Sequence, residues 1–90
     1  MYKINTSEQV AGFIARLAPT PRLRVRKAIT NLARDVGDIR ALENDLSGFY
    51  RLKVGQYRVV FCYAAPSTID CIFAEERKLV YEIFSALLRE

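Results

Sequence analysis

The sequence predicts an α+β domain: an N-terminal strand and a helical hairpin packed on an antiparallel sheet, with a C-terminal helix. Three observations carry that reading. Residues 49–75 alternate apolar and polar side chains with a period of two, broken at Gly55-Gln56 and Ala65-Pro66-Ser67-Thr68. Residues 8–33 and 77–89 instead repeat their apolar positions every three or four residues. Ninety residues, 51% of them hydrophobic, supply one core and leave no room for a second domain, so residues 1–90 form a single unit.

Each element follows from local chemistry. Tyr2 to Asn5 is a short strand candidate. Thr6-Ser7 followed by Glu8-Gln9 offers a helix N-cap, after which Val10, Phe13, Ile14 and Leu17 fall at helical spacing. Pro19-Thr20-Pro21 breaks that helix and starts a second one, with Thr20 capping and Pro21 at its first position. Val25, Ala28, Ile29, Leu32 and Ala33 form its apolar stripe, and Gly37 is a plausible stop. Arg22, Arg24, Arg26, Lys27 and Arg34 stud its outside, which suits a solvated face or a nucleic-acid contact. Residues 38–48 read as a connecting loop with at most one helical turn. Three strands follow, at about 49–54, 57–64 and 68–75, and a last helix spans 77–89 with Leu79, Val80, Ile83, Phe84 and Leu87 apolar.

The segment YRLKVGQYRVV, residues 50–60, is the most informative. Gly55-Gln56 makes a two-residue turn of type I′ or II′, and such a turn fixes the register. Val54 then faces Tyr57, Lys53 faces Arg58, Leu52 faces Val59 and Arg51 faces Val60. Alternation puts Tyr50, Leu52, Val54, Tyr57 and Val59 on one face and Arg51, Lys53 and Arg58 on the other. A four-residue loop at 65–68 would pair Ala64 with Ile69, Cys62 with Cys71, Val60 with Phe73 and Arg58 with Glu75. Glu75 would then join the cations, as a cross-strand ion-pair partner of Arg58 or as a functional carboxylate. Tyr81, one helical turn after Arg77, would share a side with it near that cluster.

Composition narrows the chemistry. Fourteen Lys and Arg against ten Asp and Glu give a net charge of +4 and a pI near 9.3, which favours an anionic partner. Histidine is absent, which excludes the usual zinc sites, Ser-His-Asp and Cys-His nucleophiles and imidazole acid–base work. Cys62 and Cys71 read as reduced packing residues. There is no Gly-rich phosphate loop, signal peptide or membrane-span candidate, so the expected location is the cytoplasm.

The motif L-S-G-F-Y-R-L-K-V-G-Q-Y-R-V-V-F, followed after the third strand by E-E-R-K-L-V-Y, resembles the signature of the RelE/ParE superfamily of bacterial type II toxin–antitoxin toxins. The predicted element order matches the fold of that family over essentially the whole chain. The resemblance implies a RelE-like toxin that cuts mRNA in the A site of the 30S ribosomal subunit without metal or other cofactor. In that reaction the ribose 2′-OH attacks the adjacent phosphate and leaves a 2′,3′-cyclic phosphate. By position Arg51, Lys53, Arg58 and Tyr81 match the family's functional residues, with Arg77 a further RNA contact. Glu75 stands where RelE carries a second arginine, and Glu76 where several relatives place a histidine.

Charge gives those residues roles within the implied reaction. Arg58 would clamp the phosphoryl oxygens as negative charge builds on phosphorus, while Arg51 and Lys53 would hold flanking phosphates. Glu75 or Lys53 would take the 2′ proton, and Tyr81 would stack on a base or donate to the 5′ leaving oxygen. Ordinary pKa values of about 4.3 for Glu and about 10 for Tyr both lie away from neutrality. A cationic surround helps Tyr and hinders Glu. The alternatives are a ParE-like DNA gyrase inhibitor without chemistry, or a degenerate toxin that binds its antitoxin and, only through it, operator DNA. All three imply a cognate antitoxin, acidic and partly disordered until bound.

Overall fold

The computed structural model describes all of residues 1–90. Strand β1 (Lys3–Thr6) is followed by helices α1 (Glu8–Arg16) and α2 (Pro19–Asn31), then β2 (Asp38–Ala41), β3 (Tyr50–Val54), β4 (Tyr57–Ala64), β5 (Thr68–Glu76) and helix α3 (Val80–Leu88). The five strands form one sheet in the order β1-β5-β4-β3-β2, antiparallel except that β1 runs parallel to β5. The expected α+β arrangement is present, with one strand more than the sequence suggested.

Helix α1 starts where Ser7 accepts the Val10 N–H on its hydroxyl oxygen at 3.1 Å. The same hydroxyl donates to the Ile72 carbonyl, and the Gln9 amide exchanges two hydrogen bonds of 2.7 Å with the backbone of Ala74. Strand β1 has ended by then, so these side chains satisfy the β5 backbone that β1 no longer covers. Helix α2 begins two residues earlier than expected. Ala18, in extended conformation, precedes Pro19 at the first helical position, and Thr20 makes no cap. Prolines at the first and third positions cost nothing there, because those N–H groups have no intrahelical acceptor. Arg22 turns back and donates to the Leu17 and Ala15 carbonyls, closing the end of α1.

The stop of α2 is also relocated. A 3-10 turn at Leu32–Arg34 leads to Asp35 at φ 58°, which takes the left-handed position assigned to Gly37. Gly37 (φ 148°) serves a different need: a Cβ there would come within 2.8 Å of Leu52 Cδ1. Strand β2 lies within the stretch read as a loop and pairs along β3 from Asp38↔Lys53 to Ala41↔Tyr50.

Helices α1 and α2 cover one face of the sheet, enclosing Val10, Phe13, Val25, Ile29, Leu32, Leu52, Val59, Phe61 and Ile69. Helix α3 lies on the other face over a smaller cluster of Val60, Phe73, Val80 and Phe84. It begins at Val80 rather than 77, and of its five expected apolar positions only Val80 and Phe84 are buried, while Leu79 and Leu87 are exposed. Arg77 therefore lies in the turn before α3, and its helical spacing with Tyr81 does not form.

Candidate functional site

The β3–β4 register is the expected one throughout, from Val54↔Tyr57 to Arg51↔Val60. Gly55 has φ 59° and Gln56 has no positive φ, the sign pattern of a type II′ turn. Arg51, Lys53 and Arg58 consequently share the face on which α3 lies, and Lys53 is directly across from Arg58. Beyond the hairpin, β5 brings Glu75 opposite Arg58 and Phe73 opposite Val60, again as expected.

The register then slips by one between Val60 and Phe61. Cys62 faces Asp70, Ala64 faces Thr68, and the connecting loop has three residues instead of four. The cause is a bulge at Ile72-Phe73, where both side chains turn toward the α3 cluster while Cys71 and Ala74 turn toward the main core. Cys62 and Cys71 thus lie on opposite faces, and both are free thiols. Burial pushes the Cys71 thiol up to about 12, which keeps it protonated and unreactive.

The cations are held very differently. Arg58 Nη1 donates to the Gly55 and Tyr57 carbonyls, each at 2.9 Å. Both N–H groups of Nη1 are used on the hairpin backbone, and the three on Nε and Nη2 form the free edge of the guanidinium. Arg51 Nη1 instead donates to the carbonyl and to Oδ1 of Asp38 at 2.9 and 3.0 Å, leaving its side chain 12% exposed. That is the one ion pair of the chain. The hydrogen bond from Arg51 holds the Asp38 carboxyl below its ordinary value. The expected Arg58–Glu75 ion pair is not formed, since Glu75 Oε1 accepts the Glu76 N–H at 3.0 Å. Glu76 sits opposite Tyr57 and belongs to the other face.

Lys53 is exposed, Glu75 and Tyr81 are half-buried, and Arg77 is exposed in the turn before α3. Tyr81 packs against the α3 cluster and makes no side-chain hydrogen bond. Arg77 is tied to the hairpin through its backbone, donating its N–H to the Gln56 carbonyl at 2.8 Å. Strand β2 adds Arg40, exposed and directly opposite Arg51 on the same face. The signal for Arg40 was the alternation D-I-R-A, too short and too polar to declare a strand by itself.

None of the clefts includes Lys53, Arg58 or Glu75 in its walls, and the largest, about 330 Å³, lies between α1 and α2. The cationic surface is open, a shape for an extended polymer rather than an enclosed small molecule.

Solved structures share this architecture. The RelBE2 toxin–antitoxin complex from Mycobacterium tuberculosis matches with a TM-score of 0.74 at 18% identity, over 84% of this chain and 98% of that one. The archaeal RelE–RelB complex from Pyrococcus horikoshii OT3 gives 0.69 at 22% identity, over 84% and 94%. The YoeB/ParE toxin from Agrobacterium tumefaciens gives 0.68 at 15%, over 83% and 98%. The fold is the RelE-like toxin fold. No protein-family model matches the sequence, and no curated protein does. On the RelE-like scaffold the cationic hairpin and α3 occupy one face of the sheet, and the helical hairpin occupies the other.

Proposed function

We propose that the chain is the toxin of a type II toxin–antitoxin system and acts as a metal-independent, ribosome-dependent mRNA endoribonuclease. The observation that carries this reading is the Arg58 guanidinium, pinned by two backbone carbonyls with its Nε and Nη2 edge free and Lys53 across from it. A guanidinium fixed in advance presents a bidentate donor pair to phosphoryl oxygens without reorganising as charge develops. In the reaction the 2′ oxygen attacks phosphorus, its proton passes to Glu75, and the P–O5′ bond breaks with a proton delivered to the 5′ oxygen from Tyr81. Lys53 and Arg40 hold flanking phosphates. Arg51 is bound to Asp38, so its contribution to RNA is a positive field behind the clamp rather than a direct contact.

The antitoxin is the protein partner. The exposed Leu79, just before α3, and Leu87 and Leu88 at its end suit the apolar side of an amphipathic segment, and the unpaired cations suit its acidic residues. No helix is long and apolar enough to cross a membrane.

Primer extension on mRNA from cells briefly expressing the chain tests the proposal. Cuts within codons of translated messages, lost in Arg58→Ala and reduced in Tyr81→Phe, are the expected result. Intact mRNA accompanied by DNA breaks would overturn it in favour of a gyrase-directed toxin.

A further inference from the structure

The tip of the β3–β4 hairpin, Gly55-Gln56, is approached by the guanidinium groups of two arginines from two elements and by the backbone of a third. Arg58 of β4 donates to the Gly55 carbonyl at 2.9 Å. The Arg77 backbone N–H, in the turn after β5, donates to the Gln56 carbonyl at 2.8 Å. Arg24 of α2 comes from the opposite side of the sheet, with Nη1 3.9 Å from the point where a Cβ on Gly55 would lie. Arg24 is exposed, makes no side-chain hydrogen bond and has no acidic partner, because the one ion pair of the chain is Arg51–Asp38. Cβ and carbonyl oxygen of one residue are about 3 Å apart, so the Arg24 and Arg58 Nη1 atoms lie within about 10 Å of each other. Gly55 carries no side chain, and apart from its chain neighbours Arg24 Nη1 is the one atom within 4 Å of where its Cβ would lie. Like charges converge only at a cost, and an anion between them removes it.

We propose that Arg24 is a phosphate-binding residue, holding the backbone phosphate adjacent to the one clamped by Arg58 as single-stranded RNA passes over the hairpin tip. The site extends the substrate path from the sheet face onto α2, and it rests on the endoribonuclease reading for its choice of RNA. Arg24 supplies affinity and direction to the strand and takes no part in the proton transfers.

Fluorescence anisotropy of a labelled 12-nucleotide RNA bound to the full chain, titrated at several KCl concentrations, tests the assignment. Each phosphate contact on a single strand contributes about 0.7 to the slope of log K against log salt. Arg24→Ala should lower that slope by about 0.7 and weaken binding at 0.1 M salt about threefold to fivefold, with the melting temperature unchanged. Arg24→Lys should recover most of the slope and part of the affinity, since it keeps the charge and loses the fork. Arg34→Ala makes the same charge change about 15 Å further along, beyond a Debye length of about 10 Å, and should leave the slope alone. Equal slopes for Arg24→Ala and Arg34→Ala, or no salt-dependent binding by the unaltered chain, would overturn the subsite. Loss of the endoribonuclease reading is separate: mRNA would stay intact in cells while the slope difference between Arg24→Ala and Arg34→Ala persisted.

Discussion

On the face covered by α1 and α2, Leu52, Val59, Phe61, Ile69 and Cys71 have lost almost all contact with solvent. On the face shared with α3 only Val60 and Phe73 do so, and Arg40 and Lys53 remain in water. Both faces come from the same strands, and alternation alone sends each residue to its side. The first face holds the fold together through burial of large apolar side chains. The second keeps Arg40, Lys53 and Arg58 without an ion-pair partner, with only Arg51 tied to Asp38, an arrangement that adds little stability and is suited to binding an anion.

Substitutions on the two faces should therefore fail in different assays. The largest effect expected is that of Phe61→Ala, which empties the centre of the first face and costs about 3–5 kcal/mol of stability. In a 90-residue domain that loss approaches the whole stability, and denaturant titration should show an early or absent transition. Arg58→Ala should be the converse: mRNA cleavage falls about 100-fold or more while stability moves by about 1 kcal/mol. A large stability loss in Arg58→Ala would erase the division between the faces. Phe84→Ala is intermediate, removing the ring that meets Phe49 and Phe73 under α3. It should cost about 3 kcal/mol, the low end for a buried Phe→Ala, and loosen α3 first, read by amide exchange along residues 80–88.

The smallest effect expected is at Asp38. The hydrogen bond from Arg51 lowers its folded pKa below the ordinary 3.8, so ionised Asp38 stabilises the folded state above that pH, and the contribution disappears as pH falls through the lowered value. The urea midpoint of the unaltered chain should exceed that of Asp38→Asn at pH 6, with the gap closing as pH falls below the ordinary carboxyl value of 3.8. A gap that stayed constant over this range would mean that the carboxylate charge is not what fastens β2 to β3.

The hairpin was legible because two independent rules agreed on it: the two-residue turn set the register and alternation confirmed it. Strand β2 was hidden because four residues with one inward-facing aliphatic, Ile39, carry no detectable period, and its pairing depends on a β3 that begins nine residues after β2 ends. Arg40 and Asp38 were lost with it. The bulge did leave a trace, since C-I-F-A at 71–74 is a continuous apolar run within an alternating strand. Alternation alone does not say which of its residues is the extra one; that depends on where α3 lands. The same holds for Arg24, whose place at the hairpin tip follows from packing between elements and from no local pattern.

The bulge at Ile72-Phe73 lets one strand pair carry two registers, one adjoining the 65–67 loop and another running through Arg58 and Glu75. The two ends of β5 are thereby free to vary independently. Adding one residue to the loop and deleting Ile72 would restore a regular ladder and leave Arg58 opposite Glu75. Loop length near residue 66 can drift over generations without dragging the site along, provided the strand gains or sheds its extra residue in step.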